Sequence, residues 1–143
     1  MSANSRLTIS VHALTWLALA HSQGHRTLTS ERIAASIATN PVVVRRHLAL
    51  LESAGLVAVE HGRTGGWSLS RPPRQITLLD VHNAINESGA FALHTSPPNQ
   101  QCPVGRGIGG TLSRVYAAVD DAIADVLGSR TVADVLSATV PGA

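Results

Sequence analysis

The sequence contains no lysine, one cysteine and only four aromatic residues other than histidine among 143 residues. One cysteine cannot form an internal disulfide, and it cannot supply the several thiolates of a zinc or iron–sulfur site. No uninterrupted apolar run approaches the length of a membrane span, about twenty residues, because Ser10, His12 and Thr15 break the longest one. We therefore expect a globular protein of the reducing cytoplasm, with no membrane contact and no metal or other cofactor.

Charge is divided unevenly along the chain, although the formal net charge is only +2. Residues 1–80 hold eight arginines and four acids, whereas residues 81–143 hold three arginines and five acids. A basic first part followed by an acidic second part indicates that the first part binds a polyanion. The exclusive use of arginine favours bidentate contacts with phosphate or guanine, and it is equally explained by a codon bias.

The first half of the chain has the pattern of three helices followed by a hairpin. Apolar periodicity and capping residues predict helices at residues 7–21, 30–38 and 41–53, with Asn40 and Pro41 forming a tight break before the third. Two alternating segments, residues 56–61 and 66–70, predict strands, and a capping box at Thr77 and Asp80 predicts a fourth helix over residues 78–86. This order is that of a winged helix-turn-helix module.

The third helix has one apolar face and one face suited to nucleic acid. Its inner face is predicted to hold four residues, Val44, His47, Leu48 and Leu51. Its outer N-terminal face carries Val42, Val43, Arg45 and Arg46. That face could enter a major groove, while the hairpin tip with Arg63 lies over the adjacent backbone or minor groove. The alternative is a winged-helix module that binds another protein, because the fold alone does not fix the function.

The second half predicts a mobile loop and a pairing helix. Residues 87–110 are rich in glycine and proline and predict a flexible loop. The helix that follows carries an apolar seam at spacings of four and three, formed by Ile108, Leu112, Val115, Val119, Ala122 and Val126. We interpret the seam as a dimer interface, with packing inside one chain as the alternative. The predicted architecture is mainly α, with a winged helix-turn-helix domain at 1–86, the loop at 87–110, and the dimerisation helix with a short final helix at 111–143.

Three segments together resemble a known family. They are Ala54-Gly55-Leu56-Val57, Gly62 to Pro72 with its Gly-Gly-Trp step, and Ile76-Thr77-Leu78 followed by Asp80-Val81. The chain resembles the Rrf-type winged-helix transcription regulators, which include the iron–sulfur cluster regulator, the nitric-oxide-sensing repressor and the cysteine-metabolism repressor. The resemblance implies a homodimeric bacterial regulator that binds near-palindromic operators in double-stranded DNA and usually represses. It also implies that the long helix crosses to the other subunit, where the first helix packs against it.

The resemblance also assigns residues to DNA contacts. It places Arg45 at the recognition-helix position that reads bases, Arg6 at a basic position at the start of the first helix, and the segment from Arg63 to Gly65 in the wing. With the starts of the second and third helices, the predicted DNA-binding set is Arg6, Ser30, Asn40, Val42, Val43, Arg45, Arg46, Arg63, Thr64 and Gly65.

The loop before the pairing helix departs from the cluster-binding members. Those members carry three cysteines there, whereas this chain has only Cys102, so no iron–sulfur cluster is expected. Cys102 precedes a helix N-terminus, which stabilises a thiolate, and is interpreted either as a sensor thiol or as a partly buried bystander. An effector pocket between the module and the pairing helix could be lined by Phe91, Trp67 and Tyr116, although three scattered aromatic residues are more often core residues.

Enzymatic chemistry has little support in the sequence. The glycines of residues 105–110 follow no strand and have no lysine, so they do not form a phosphate-binding loop. No local motif marks a nucleophile with a histidine partner. His21 and His25 are four residues apart, but Gly24 ends the helix between them, which argues against a metal pair.

Overall fold

The computed structural model describes residues 5–86 and 88–143. The elements in chain order are α1 (Ser5–Ser22), α2 (Ser30–Ile37), α3 (Pro41–Ser53), β1 (Val57–Glu60), β2 (Gly66–Leu69), a 3-10 turn (Pro73–Gln75), α4 (Leu78–Ile85), α5 (Pro103–Gly128) and α6 (Val132–Thr139). The winged helix-turn-helix order predicted from the sequence is confirmed. Within the described ranges, no helix combines the length and the apolar character needed to cross a membrane.

Helix α1 is the centre of the core because it is apolar on most of its faces. Ile9, Leu14 and Leu17 are buried, and the helix contacts α3, α4, α6 and β2. Two of the polar residues that interrupt the apolar run of α1 have hydrogen-bond partners. The Thr15 hydroxyl donates to the Val11 carbonyl at 2.7 Å within the helix, and a ring nitrogen of His12 lies 2.9 Å from the Ser36 hydroxyl of α2.

The turn between α2 and α3 is three residues long, as the Asn-Pro break predicts. The Asn40 side chain accepts a hydrogen bond from the Val42 amide at 2.8 Å, and Pro41 occupies the first turn of α3. Ala38 ends α2 with a φ of 62°, in the left-handed region that glycine usually fills. The inner face of α3 is confirmed, since Val44, His47, Leu48 and Leu51 are all buried.

The wing is a two-stranded antiparallel hairpin anchored to the segment before α2. Its strands pair from Val57 with Leu69 to Glu60 with Gly66. Leu28 adds one bridge on the other edge of β2, exchanging main-chain hydrogen bonds of 2.7 and 2.9 Å with Trp67. Gly66 has a φ of 151°, and a Cβ there would lie 2.6 Å from the Leu28 carbonyl oxygen, so this close approach requires glycine.

Helix α6 belongs to the core of the winged module rather than to the long helix. Both α4 and α6 begin with capping boxes, formed by Thr77 with Asp80 and by Thr131 with Asp134. Val132 and Leu136 are buried, and α6 packs against α1 and the 3-10 turn. The short final helix predicted after the dimerisation helix therefore contributes to the same core as α1.

Helix α5 begins eight residues earlier than the sequence predicts. Residues 103–110, assigned from the sequence to the flexible loop of residues 87–110, form its first two turns. Four glycines suggested a loop, but Pro103 supplies a favourable first helical residue. A Cβ at Gly105 would collide with the Asn99 carbonyl oxygen, so this glycine permits the connection from α4 to pack against the helix. The predicted loop is thus wrong over its last eight residues.

Candidate nucleic-acid interface

The N-terminal turns of α3 present a fixed and exposed surface. Asn40 caps the helix, and this bond sets where the first turn begins. Val42 is 46% exposed, Arg45 and Arg46 are exposed, and Val43 is half-buried. Because Val44, His47 and Leu48 hold the opposite face in the core, the direction in which the two arginines project is set by the packing of α3.

Arg45 is held in place by the start of α2. Its Nη1 donates to the Ser30 hydroxyl at 3.2 Å and to Glu31 Oε1 at 3.3 Å. Ser30 is only 7% exposed, and its hydroxyl accepts the hydrogen bond that helps to fix the position of the Arg45 guanidinium. The DNA contact of Ser30 stays a prediction, and the structure adds that this hydroxyl is a hydrogen-bond partner of Arg45. Glu31 was not singled out from the sequence, because its contact with Arg45 depends on how α2 and α3 cross.

The wing tip is exposed and is tied to the chain segment before α2. Arg63 and Thr64 are exposed at the end of the hairpin. The Thr64 carbonyl accepts a hydrogen bond from the Thr27 hydroxyl at 3.2 Å, and Arg26 pairs with Glu60 at 2.8 Å. Gly65 is half-buried and has no room for a Cβ, which would collide with the Glu60 carbonyl oxygen. These contacts restrain the wing along one side and leave the Arg63 side chain exposed at its tip.

Arg6 lies apart from the other predicted contact residues. It is exposed in the first turn of α1. Within residues 5–86 and 88–143, no hydrogen bond or ion pair joins its side chain to α3 or to the wing. The structure thus brings Ser30 and Arg45 into contact, and it leaves Arg6 as a separate basic position.

An exposed and capped helix N-terminus with two arginines, beside an arginine-tipped hairpin, defines a helix-turn-helix module of the DNA-binding class. Residues 3–138 match the Rrf2 family, which is described as iron-dependent transcriptional regulators. The chain belongs to the Rrf2 family, and it is a transcriptional regulator rather than an enzyme. The family that the three sequence segments resemble is therefore confirmed.

Relatives and solved structures agree with this membership. The chain is 36% identical over 135 residues to YwnA of Bacillus subtilis (strain 168), which is named as a HTH-type transcriptional regulator; the match covers 94% of this chain and 96% of YwnA. IscR of T. potens has a TM-score of 0.70 at 24% identity, covering 97% of this chain and 88% of that one. CymR (YrzC), the global cysteine regulator of B. subtilis, has a TM-score of 0.70 at 20% identity, covering 96% and 98%. At these identities the two structures show a shared fold.

The family description names iron, and the residues of this chain do not fit an iron–sulfur cluster. Such clusters are held by several cysteine thiolates, and this sequence has one cysteine. That residue, Cys102, is exposed immediately before α5. In the part of the chain that the structure describes, no three side chains of His, Cys, Asp or Glu are grouped so as to hold a metal ion.

The predicted seam on α5 lies beside the face with which this helix contacts its own chain. Tyr116 packs against Phe91 with ring centroids 5.5 Å apart, and Asp120 accepts a hydrogen bond from the Ala90 amide at 2.9 Å. The seam residues Val115 and Val126 are 50% and 64% exposed. No described residue of α5 is fully buried. Of the six seam residues, two are half-buried and four are exposed, so contacts within the protomer cover only part of the seam.

The three aromatic residues proposed as the lining of an effector pocket do not form one. Phe91 contacts Tyr116 of α5, whereas Trp67 lies on strand β2 of the wing. The expected pocket between the winged module and α5 is thus not formed by this set, because the register of β2 places Trp67 against Leu28.

Proposed function

We propose that the protein is a homodimeric, sequence-specific repressor of the cytoplasm that binds a near-palindromic operator. The observation that carries this proposal is the capped start of α3, where Arg45 and Arg46 project from a helix whose other face is buried. Arginine is the side chain best suited to bidentate contacts with guanine, and a second arginine beside it can neutralise a phosphate. In this proposal Arg45 reads a base, while Arg46, Arg63 and Arg6 contact the DNA backbone.

The exposed seam supports the dimer. Helix α5 has 26 residues, which corresponds to about 39 Å at 1.5 Å per residue. An apolar stripe along a helix of this length is typical of a surface that pairs with a second helix. A second uncovered apolar surface lies between α1 and α6, a groove of about 550 Å³ lined by Leu7, Val11 and Val140 among others. We propose that the α5 helices pair through their seams and that each extends over this groove of the partner, which sets the spacing of the two recognition helices.

A signal would act by changing the distance between the two recognition helices of the dimer. Cys102 is exposed at the junction between the connection from α4 and the start of α5, which supports its assignment as a sensor thiol. Oxidation there would alter the first turn of the helix that pairs the subunits. If Cys102→Ser leaves the response of DNA binding to oxidants unchanged, the thiol is a bystander and the signal is an effector instead.

The experiment is a fluorescence-anisotropy titration against the DNA upstream of the protein's own gene and against a scrambled duplex, at two salt concentrations. We expect tighter binding to the upstream DNA and an affinity that falls steeply with salt, since phosphate contacts release counterions. Arg45→Ala should reduce discrimination by about 1–3 kcal/mol, whereas Arg46→Ala should weaken binding to both duplexes alike. Absence of binding to either duplex at low salt would favour the protein-binding module.

A further inference from the structure

A cavity of about 390 Å³ lies behind the wing, between the C-terminal half of α1, residues 25–28, β2 and the 3-10 turn. Its floor is apolar and includes Leu17, Leu28 and Trp67. Its rim is basic, with three arginines and two histidines, Arg26, Arg71, Arg74, His21 and His25. The volume lies within the range of small-molecule sites, which is about 300–1,000 Å³.

Among the residues that the structure describes, no acid lines the cavity, and two of its arginines have no acidic partner. Arg26 pairs with Glu60 outside the lining, at 2.8 Å. In residues 5–86 and 88–143, no carboxylate lies within ion-pair distance of Arg71 or Arg74. Arg71 is half-buried, and its guanidinium reaches only the Gln75 carbonyl oxygen, at 3.5 Å. The arginines of the rim are therefore available to pair with the anionic group of a ligand.

The edge of β2 adds a main-chain donor. Trp67 exchanges both of its main-chain hydrogen bonds with Leu28, and this bridge is isolated. Because hydrogen-bonding directions alternate along an antiparallel strand, the amide of Leu69 points to the same edge as that of Trp67. Leu69 lines the cavity, and its amide is directed to the edge of β2 that carries the Leu28 bridge.

We propose that this cavity binds a small organic anion, with its carboxylate or phosphate group against Arg71 and Arg74 and its apolar body against Trp67. Small-molecule sites are concave and mostly apolar, and this cavity is concave with an apolar floor. The DNA backbone presents phosphate and sugar, which have no apolar group to place against the floor of the cavity.

Hydrogen bonds and one ion pair join the lining of the cavity to the wing. Leu28 in its floor is hydrogen-bonded to Trp67 of β2, and Arg26 on its rim pairs with Glu60 of β1. Thr27, between them, donates to the Thr64 carbonyl at the wing tip. An anion that draws Arg26 away from Glu60 would change the restraint on the tip that carries Arg63. This regulatory part of the inference rests on the proposed DNA-binding function, whereas the binding site itself does not.

The test uses Trp67 as the reporter in the Trp16→Phe variant of the 143-residue chain, in which it is the only tryptophan. Benzoate and phenyl phosphate are the anionic probes, and benzamide is the neutral one. We expect saturable quenching or enhancement of the Trp67 emission by at least one anion and none by benzamide. Arg71→Gln with Arg74→Gln should weaken that binding about tenfold or more, equivalent to about 1.4 kcal/mol.

The matched control is Arg106→Gln with Arg114→Gln, which removes the same charge from α5 and should leave the midpoint unchanged. An equal response to benzamide, an equal loss in the control pair, or no saturable response to either anion would overturn the site. Because this titration contains no DNA, its failure is distinguishable from a failure to bind the operator. If the Arg71 and Arg74 variants lose DNA affinity while neither anion binds, the cluster is a phosphate-contact surface and the inference is wrong.

Discussion

At the residue scale, Arg45 is the side chain for which a base contact and an internal ion pair compete. Its pair with Glu31 spans 3.3 Å, and the two side chains are 47% and 67% exposed. A pair this exposed contributes little stability, about 0–1 kcal/mol, because solvent and salt screen it. The ion pair therefore acts mainly on the position of the Arg45 side chain. Together with the buried Ser30 hydroxyl, Glu31 restricts where the Arg45 guanidinium can reach.

Glu31→Gln should lower discrimination without affecting the fold. We expect the ratio of operator affinity to scrambled-DNA affinity to fall a few-fold, because the guanidinium loses one of its two supports. Affinity for scrambled DNA should rise slightly, since one negative charge near the polyanion is removed. Anisotropy titrations measure both, with Glu52→Gln, an exposed glutamate on the same module, as the matched control. If Glu31→Gln lowers the affinity ratio by the same factor in a protein that already carries Arg45→Ala, Glu31 does not act through Arg45.

At the element scale, the first turns of α5 combine glycines that have room for a side chain with one that does not. A Cβ at Gly105 would collide with the Asn99 carbonyl oxygen, whereas a Cβ at Gly107 would meet nothing within 4 Å. Alanine is favoured over glycine in a helix by about 1 kcal/mol. Gly107→Ala should therefore raise the melting temperature, while Gly105→Ala should lower it. Thermal unfolding followed by circular dichroism measures both, and equal shifts would show that Asn99 does not pack against the helix.

The same segment shows how far local sequence patterns predict this fold. The caps at Asn40 and Thr77 are local signals, and they placed α3 and α4 correctly. The start of α5 was misplaced because the reason for Gly105 is a contact with Asn99, six residues earlier in the chain. Among the candidate site residues, Arg45 could be found from helix periodicity. Glu31 and the basic cavity behind the wing could not, because they depend on how separate elements pack.

The start of α6 predicts a dependence of stability on pH. The Thr131 amide donates to the Asp134 carboxylate at 2.9 Å, and this bond, with that of the Thr131 side chain, holds the pKa of Asp134 below its ordinary value. A carboxyl whose pKa is lower in the folded state stabilises the fold above its unfolded pKa, and the benefit is lost as pH falls through the folded value. The cap therefore stabilises at neutral pH and not in strong acid.

Asp134→Asn should lower the melting temperature at neutral pH, and the difference from the unchanged protein should shrink below about pH 4. Melting curves over a pH series measure this. Asp125→Asn is the control, because Asp125 lies exposed on α5 and has no hydrogen bond or ion pair among the described residues. A difference for Asp134→Asn that persists unchanged into acid would exclude the ionised cap as its cause.

At the scale of the whole molecule, the proposed function requires two recognition helices at a fixed separation. Half-sites one helical turn apart lie about 34 Å from each other, so a single winged module can contact only one of them at a time. The seam on α5 is the surface that would join the modules, and its exposure in the protomer makes it possible to test association without disturbing the core.

Val115→Asp should convert the dimer to a monomer that is still folded. Val115 is 50% exposed, so the substitution removes little core packing, but a charge in a paired apolar seam is unfavourable unless it is neutralised. Ala117→Asp is the matched control, since residue 117 lies on α5 away from the seam and is also exposed. Light scattering after size exclusion measures the mass, and circular dichroism checks the helical content.

The monomer should bind one half-site weakly and lose the preference for the palindrome. If Val115→Asp remains a dimer, or if Ala117→Asp dissociates equally, the seam is not the interface and the spacing of the recognition helices must be set elsewhere.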